Sequence, residues 1–217
     1  MQLFNLIPPH VIQACKDDYY SRAEYETSSM NKANVESILE LVLPYCEQAV
    51  EGVIFRGGNF YKHAHPYQPH TDFKAWMDND LNMVIPLEWH AEQVPSLFVF
   101  DQTWPYDSVT WSMHKKVEAF KVNTGVKGAP WEYPIEGASR KPFDEEARKR
   151  FLPHFRSVDL FSLTGQAYPF EVGSLIIFDN RRIHATSAFT GEKLGLSLRF
   201  KLPRANGVEA GLRSQHL

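Results

Sequence analysis

The stretch Pro69-His70-Thr71-Asp72 holds the most chemically informative spacing in the chain. In an extended segment, residues i and i+2 point to the same side. His70 and Asp72 can therefore offer an imidazole nitrogen and a carboxylate oxygen to one ion. A third ligand must come from elsewhere, and the best candidate is His184 in GSLIIFDNRRIHATS. There an apolar strand opens at Gly173, runs through Phe178, and has a polar continuation that ends in the histidine. Two imidazoles and one carboxylate on one face of an ion leave three coordination positions open, the arrangement suited to non-haem Fe(II) oxygen chemistry. Nine histidines make accidental pairs common, so His-x-Asp alone is weak. The full order is stronger: His-x-Asp early, a Gly-led apolar strand before a lone histidine late, and a cationic strand directly after it.

That cationic strand, GEKLGLSLRFKLP, alternates regularly. Leu194, Leu196, Leu198, Phe200 and Leu202 fall on one face; Lys193, Gly195, Ser197, Arg199 and Lys201 fall on the other. Alternation of this kind describes an antiparallel sheet with one wet face. It also describes a barrel strand that carries a cation inward, where Lys193 or Arg199 would pair with the far carboxylate of a dicarboxylate cofactor. In that second reading Gly195 leaves room for the cofactor and Ser197 donates a hydrogen bond.

The elements that must position these residues follow from periodicity. Pro8 and Pro9 suit a first helical turn before IQACKDDYY. Asn34 is a helix cap for VESILELVLPYCEQAVEG, with Pro44 expected to kink or end its first part and Gly52 to stop the remainder. From Gly52 the pattern changes to strands: VIFRGGNFYKHAHPYQPHTDF, LNMVIPLEW and SLFVFDQTW, then DLFSL, VGSLIIFD and LGLSLRFKLP. Residues 104–157 interrupt them with helix-like and loop-like segments, among them FDEEARKRFLPHF with Asp144 as its cap. Segments of this length are commonly lids or binding loops. The expected organisation is one domain over 1–217. N-terminal helices (1–51) lie on one outer face, jelly-roll strands fill 52–103 and 158–202, a partly helical insertion covers 104–157, and a tail runs from 203 to 217. Few helices separate the strands, which argues against a doubly wound parallel sheet and for a mainly β jelly roll.

His70-x-Asp72, His184 and the strand after it resemble the Fe(II)/2-oxoglutarate-dependent oxygenases, whose fold is the double-stranded β-helix, over about residues 52–202. The resemblance implies that His70, Asp72 and His184 bind iron. It also implies that a basic residue on the following strand holds the C5 carboxylate of 2-oxoglutarate. Lys193 lies nine residues after His184 and Arg199 fifteen. Both are compatible, and KLGLSLRF favours Lys193 because it reads like the family's basic–x–small–Leu strand. Arg199 would then face the substrate or assist the cofactor. The implied reaction consumes O2, converts 2-oxoglutarate to succinate and CO2, and hydroxylates or desaturates a small molecule or peptide, with ascorbate as an accompanying reductant. Related halogenases lack the carboxylate that Asp72 supplies, so halogenation is not expected.

Tyr61, Tyr67 and Asn82 are secondary candidates for hydrogen bonds to the cofactor, read as lying on strands near the triad. Arg181 and Arg182 are candidates for attracting an anionic substrate group. Trp104, Tyr106, Trp111, Trp131 and Tyr133 could form an aromatic lid or the insertion's own small core. Two rival readings remain open. One is a cupin-type metal enzyme built on His63, His65, His70 and a later histidine. The other is a non-catalytic jelly-roll module that binds a carbohydrate or a partner protein.

Composition narrows the remaining classes. A formal charge of −3, from 23 Lys+Arg against 26 Asp+Glu, gives none of the basic excess on which nucleic-acid and anionic-membrane binding rests. Cys15 and Cys46 are the only cysteines, too few for a disulfide scaffold or a cysteine zinc site. No apolar run reaches the ~20 residues of a membrane span, and MQLFNLIPPH lacks the regions of a signal peptide. The expectation is a cytoplasmic protein; oligomeric state is not legible.

Overall fold

Alternation decides which face of each strand is covered, and the computed structural model shows what covers it. The structure describes residues 1–22, 35–64, 66–67, 69–72, 80–103 and 165–203. Two helices, α1 (Pro9–Arg22) and α2 (Leu39–Ala49), accompany eight strands: β1 (Gln2–Leu3), β2 (Ile54–His63), β3 (Leu81–Ala91), β4 (Ser96–Thr103), β5 (Gly165–Pro169), β6 (Leu175–Asp179), β7 (Arg182–Thr186) and β8 (Gly191–Lys201). They form a five-stranded sheet, ordered β1-β6-β3-β8-β2, and a three-stranded sheet, β5-β4-β7. All the pairings are antiparallel. This is the expected mainly β jelly roll.

The leucine face of β8 and the Met83, Ile85 and Leu87 positions of β3 pack against Val11, Cys15, Val42 and Cys46 of the two helices. Each fully buried aliphatic side chain on this face contributes about 1.5–3 kcal/mol, and a one-residue slip would turn every one of them inward. The helices thus fix the register that sends Lys193, Gly195, Ser197 and Arg199 to the opposite, interior face. Both cysteines are fully buried and free, and burial pushes each thiol up to about 12. They are packing residues.

Several expectations need correction. Pro44 neither ends nor divides α2, which continues to Ala49. Pro44 and Glu40, whose carbonyl loses its partner to the proline, both face solvent, where water replaces the missing bond. A 3-10 turn at Glu36–Ile38 precedes the helix. Pro86 is tolerated within central β3 because the pairing with β8 shifts register between Pro86 and Glu88, a bulge being where a strand accommodates proline. His184 is not on a continuation of the Gly173 strand. The chain turns at Asn180–Arg181 and returns as β7 in the other sheet. A strand at Gly165–Pro169 pairs with β4; its small, turn-prone residues gave no strand signal. DLFSL, Asn34, the 104–157 insertion with its aromatic residues, and the tail beyond Pro203 lie outside the described residues.

Candidate active site

His70, Asp72 and His184 converge. One ligand atom from each lies within 4.8 Å of the others, the only such group of three metal-ligating side chains among the described residues. His70 and His184 are neighbours through their backbones, each amide donating to the other's carbonyl at 2.9 Å. That bridge seats His70 on the edge of β7, the strand that carries His184. The pair therefore depends on a long-range backbone contact and not on a continuous strand at His70, since Asp72 lies in irregular chain. Asp72 stands 3.8 Å from His70 Nε2 and 3.5 Å from His184 Nε2.

Surrounding groups orient the three. His184 Nδ1 lies 3.0 Å from the Arg182 carbonyl. A carbonyl only accepts, so Nδ1 carries a proton and Nε2, the atom facing Asp72, is the one left to bind a metal when it gives up its own proton, the arrangement a metal-binding histidine needs. Asn82 Nδ2 donates to Asp72 Oδ2 at 2.9 Å. The Tyr67 ring meets His70 edge-on at 4.4 Å and stacks on His63 at 5.3 Å. Burial opposes the charge on Asp72, yet the imidazoles of His184 and His70 and the Arg199 guanidinium outweigh it, holding the carboxyl well below its usual range. Two imidazole nitrogens and an ionised carboxylate oxygen form a borderline-to-hard donor set that fits Fe(II), and the three residues leave the remaining positions to other ligands.

The triad opens into a cavity of about 150 Å³. Polar side chains lie along its β8 and β2 sides, with Val84, Leu97 and Phe178 as apolar wall. Lys193 is 2% exposed. Its ammonium donates to Thr186 Oγ1 at 3.2 Å and sits over the Phe170 ring at 4.7 Å and the Tyr61 ring at 5.7 Å. Burial alone pulls its pKa down to about 7. Among the described residues no carboxylate pairs with it, so a buried amine waits in the cavity for an anion.

Of the sequence candidates, Tyr61, Tyr67, Ser197, Lys193 and Arg199 all line the cavity with the triad. Asn82 is fully buried behind Asp72, and Tyr67 lies off any strand. Gly195 makes room for a neighbour and not for a ligand: a Cβ there would meet the Tyr61 hydroxyl and, at 2.9 Å, the Phe170 ring. Gly195→Ala should therefore cost about 1–3 kcal/mol through overpacking, read as a lowered denaturation midpoint. Arg181 is engaged by Asp179 at 2.8 Å, and Arg182 lies 3.6 Å from Asp101. Neither lines the cavity. His63 does, but it is outside the metal-capable group. Burial and the nearby Lys193 lower its pKa to about 4, so it is neutral. His65 lies outside the described residues.

Thr186 and Asn59 escaped the sequence reading. Thr186 shares a face of β7 with His184, two residues on, and Asn59 shares a face of β2 with Tyr61. The alternation rule would have found both once His184 and Tyr61 were placed on strands.

In sequence the chain matches no family profile and no curated protein. In structure it is similar to several solved proteins at about a tenth of residues identical. One is SnoN, a non-haem α-ketoglutarate-dependent epimerase from nogalamycin biosynthesis (TM-score 0.54, 10% identity, 96% of this chain and 82% of that one). Another is HygX from Streptomyces hygroscopicus, solved with nickel and 2-oxoglutarate (TM-score 0.53, 9% identity, 94% and 83%). A Pseudomonas putida prolyl-4-hydroxylase aligns at TM-score 0.50, 11% identity, 94% and 92%. The chain thus has the jelly-roll fold of the non-haem 2-oxoglutarate-dependent enzymes, with a His-Asp-His group in its interior. No helix among the described residues is long and apolar enough to cross a membrane.

Proposed function

We propose that this chain is an Fe(II)- and 2-oxoglutarate-dependent oxygenase that hydroxylates a small molecule or peptide. The observation that carries the proposal is the pairing, in one cavity, of a His-Asp-His group with a buried lysine that has no carboxylate partner among the described residues. A metal held by His70, Asp72 and His184 supplies the activation of oxygen, coupled to loss of CO2 from 2-oxoglutarate.

The chain's own residues bind, orient and shield. Lys193 takes the C5 carboxylate as a point charge, and Thr186 Oγ1, already in contact with its ammonium, fixes where that charge sits. Burial keeps the Tyr61 phenol protonated, its pKa raised far above the usual value. It is therefore a hydrogen-bond donor at the same end of the cavity. Asn82 holds Asp72 in one rotamer, and the Arg182 carbonyl holds His184 in one tautomer. Val84, Leu97 and Phe178 wall the space between with apolar surface, which disfavours water there. A non-catalytic module has no use for a buried lysine facing three metal ligands.

The fold alone does not select the reaction, since its neighbours include an epimerase, a carbocyclase and a hydroxylase. Asp72 completes the ligand set and so speaks against halogenation; of the two outcomes left open by that, hydroxylation or desaturation, hydroxylation is the one proposed. The test is succinate release from 2-oxoglutarate in air, with Fe(II) and ascorbate, against a library of metabolites and peptides. Succinate formation that requires Fe(II) and rises with a library member that gains one oxygen is expected. Metal-loaded protein that never forms succinate would refute the proposal.

A further inference from the structure

Arg199 is the second cation of the cavity, and its one role towards the metal ligands is through space, helping to keep Asp72 ionised. It lies on the interior face of β8, opposite Asn82 of β3 and beside Gly57 of β2. Its Nη2 reaches Asn59 Oδ1 at a long 3.4 Å. Among the described residues its buried Nε has no acceptor, and the buried Asn82 Oδ1 has no donor. A buried donor left unpaired costs free energy that a ligand recovers on binding. Lys193 and Arg199 are six residues apart, about 20 Å along a strand, too far to grip the same carboxylate.

Charge decides what the second cation is for. Among the described residues lining the cavity, Asp72 is the only acid, against Lys193 and Arg199. A divalent metal, Asp72, doubly charged 2-oxoglutarate and Lys193 together come to zero. Among the described residues, Arg199 then remains as one positive charge beyond that balance, in a partly water-excluded space. We infer that Arg199, with Asn59, forms a second anion subsite that recognises a single negatively charged oxo-acid group, a carboxylate or a phosphate, on the primary substrate. Arg181 and Arg182, the nearer cations in sequence to His184, are held by Asp179 and Asp101 outside the cavity, which leaves this task to Arg199. The guanidinium's planar fork suits two-point contact with such a group. The charge balance and the substrate class rest on the oxygenase reading; the buried Nε of Arg199 and its long contact with Asn59 do not.

The test is calorimetric titration of the full chain, loaded with Fe(II) without oxygen and saturated with 2-oxoglutarate, using acetate and inorganic phosphate as probes. Wild type should bind at least one of them. Arg199→Leu should weaken that binding by about tenfold to a hundredfold while its affinity for 2-oxoglutarate is unchanged. Arg199→Lys should fall between the two, and it keeps the measurement available if the leucine variant does not fold. If neither probe binds wild type, or if Arg199→Leu weakens 2-oxoglutarate and spares the probes, the inference is wrong, the second outcome placing Arg199 on the cosubstrate instead. Should 2-oxoglutarate fail to bind wild type, the oxygenase reading falls. Arg199-dependent binding of acetate or phosphate to the Fe(II)-loaded protein would still uphold the subsite.

Discussion

Asp72→Ala is expected to abolish turnover and to weaken metal binding by at least about a hundredfold, the upper range for losing even an outer-shell partner of a metal site, while the fold survives. Asp72 is the one anionic member of the proposed ligand set, and its carboxylate sits 3.8 and 3.5 Å from the Nε2 atoms of His70 and His184. Removing it leaves two neutral donors that cannot offset the charge of a divalent ion. The structural loss is small by comparison, because Asp72 is joined to the packed interior mainly through Asn82, and one lost hydrogen bond costs about 1 kcal/mol. Metal content by atomic absorption, beside an unchanged circular dichroism spectrum, checks both halves.

Lys193→Met should move stability and cosubstrate binding in opposite directions. In the free protein the ammonium is buried against Phe170, Tyr61 and Phe189, and methionine fills similar space without the cost of desolvating a charge. A gain on the order of 1–3 kcal/mol is expected, seen as a higher melting temperature. Affinity for 2-oxoglutarate should fall by about two to three orders of magnitude, since its C5 carboxylate would be buried unpaired. The pH dependence separates this from a packing effect. Burial holds the folded-state pKa at about 7, below the ordinary lysine value of 10.5. The unfolded chain thus binds the extra proton across that window, and the free protein gains stability as pH rises through it. The carboxylate needs the ammonium form, so 2-oxoglutarate affinity falls by about tenfold per pH unit above 7. Lys193→Arg, which stays charged, should flatten that slope, and Lys193→Met should remove it.

What the sequence made legible were features with a short period or a fixed chemistry. The two faces of Lys193–Lys201 are visible because alternation is local, and His70-x-Asp72 stands out because its donors are two residues apart. The side of the sheet on which Lys193 lies was not local information. It depends on α1 and α2 covering Leu194, Leu196, Leu198 and Phe200, so a face that reads as wet is interior. The same holds for His184, whose strand is distinct from the apolar run before it because the turn at Asn180–Arg181 passes the chain to the other sheet. Gly195 was read as space for a ligand; tertiary packing gives that space to Tyr61 and Phe170. The partners that hold the site, Thr186 on Lys193 and Asn82 on Asp72, join residues of separate elements: Thr186 and Lys193 sit on different sheets and Asp72 lies off any strand, a packing that spacing along the chain does not encode.

Anaerobic titration of the Fe(II)-loaded chain with 2-oxoglutarate, followed by the visible charge-transfer absorption of a metal-chelated 2-oxo acid, probes the central assignment most directly. The band should grow to a stoichiometric end point in wild type and be missing from Asp72→Ala and His184→Ala. Metal-replete wild type that gives no band, or a band that survives the loss of His184, would contradict the assignment of His70, Asp72 and His184 as the metal ligands.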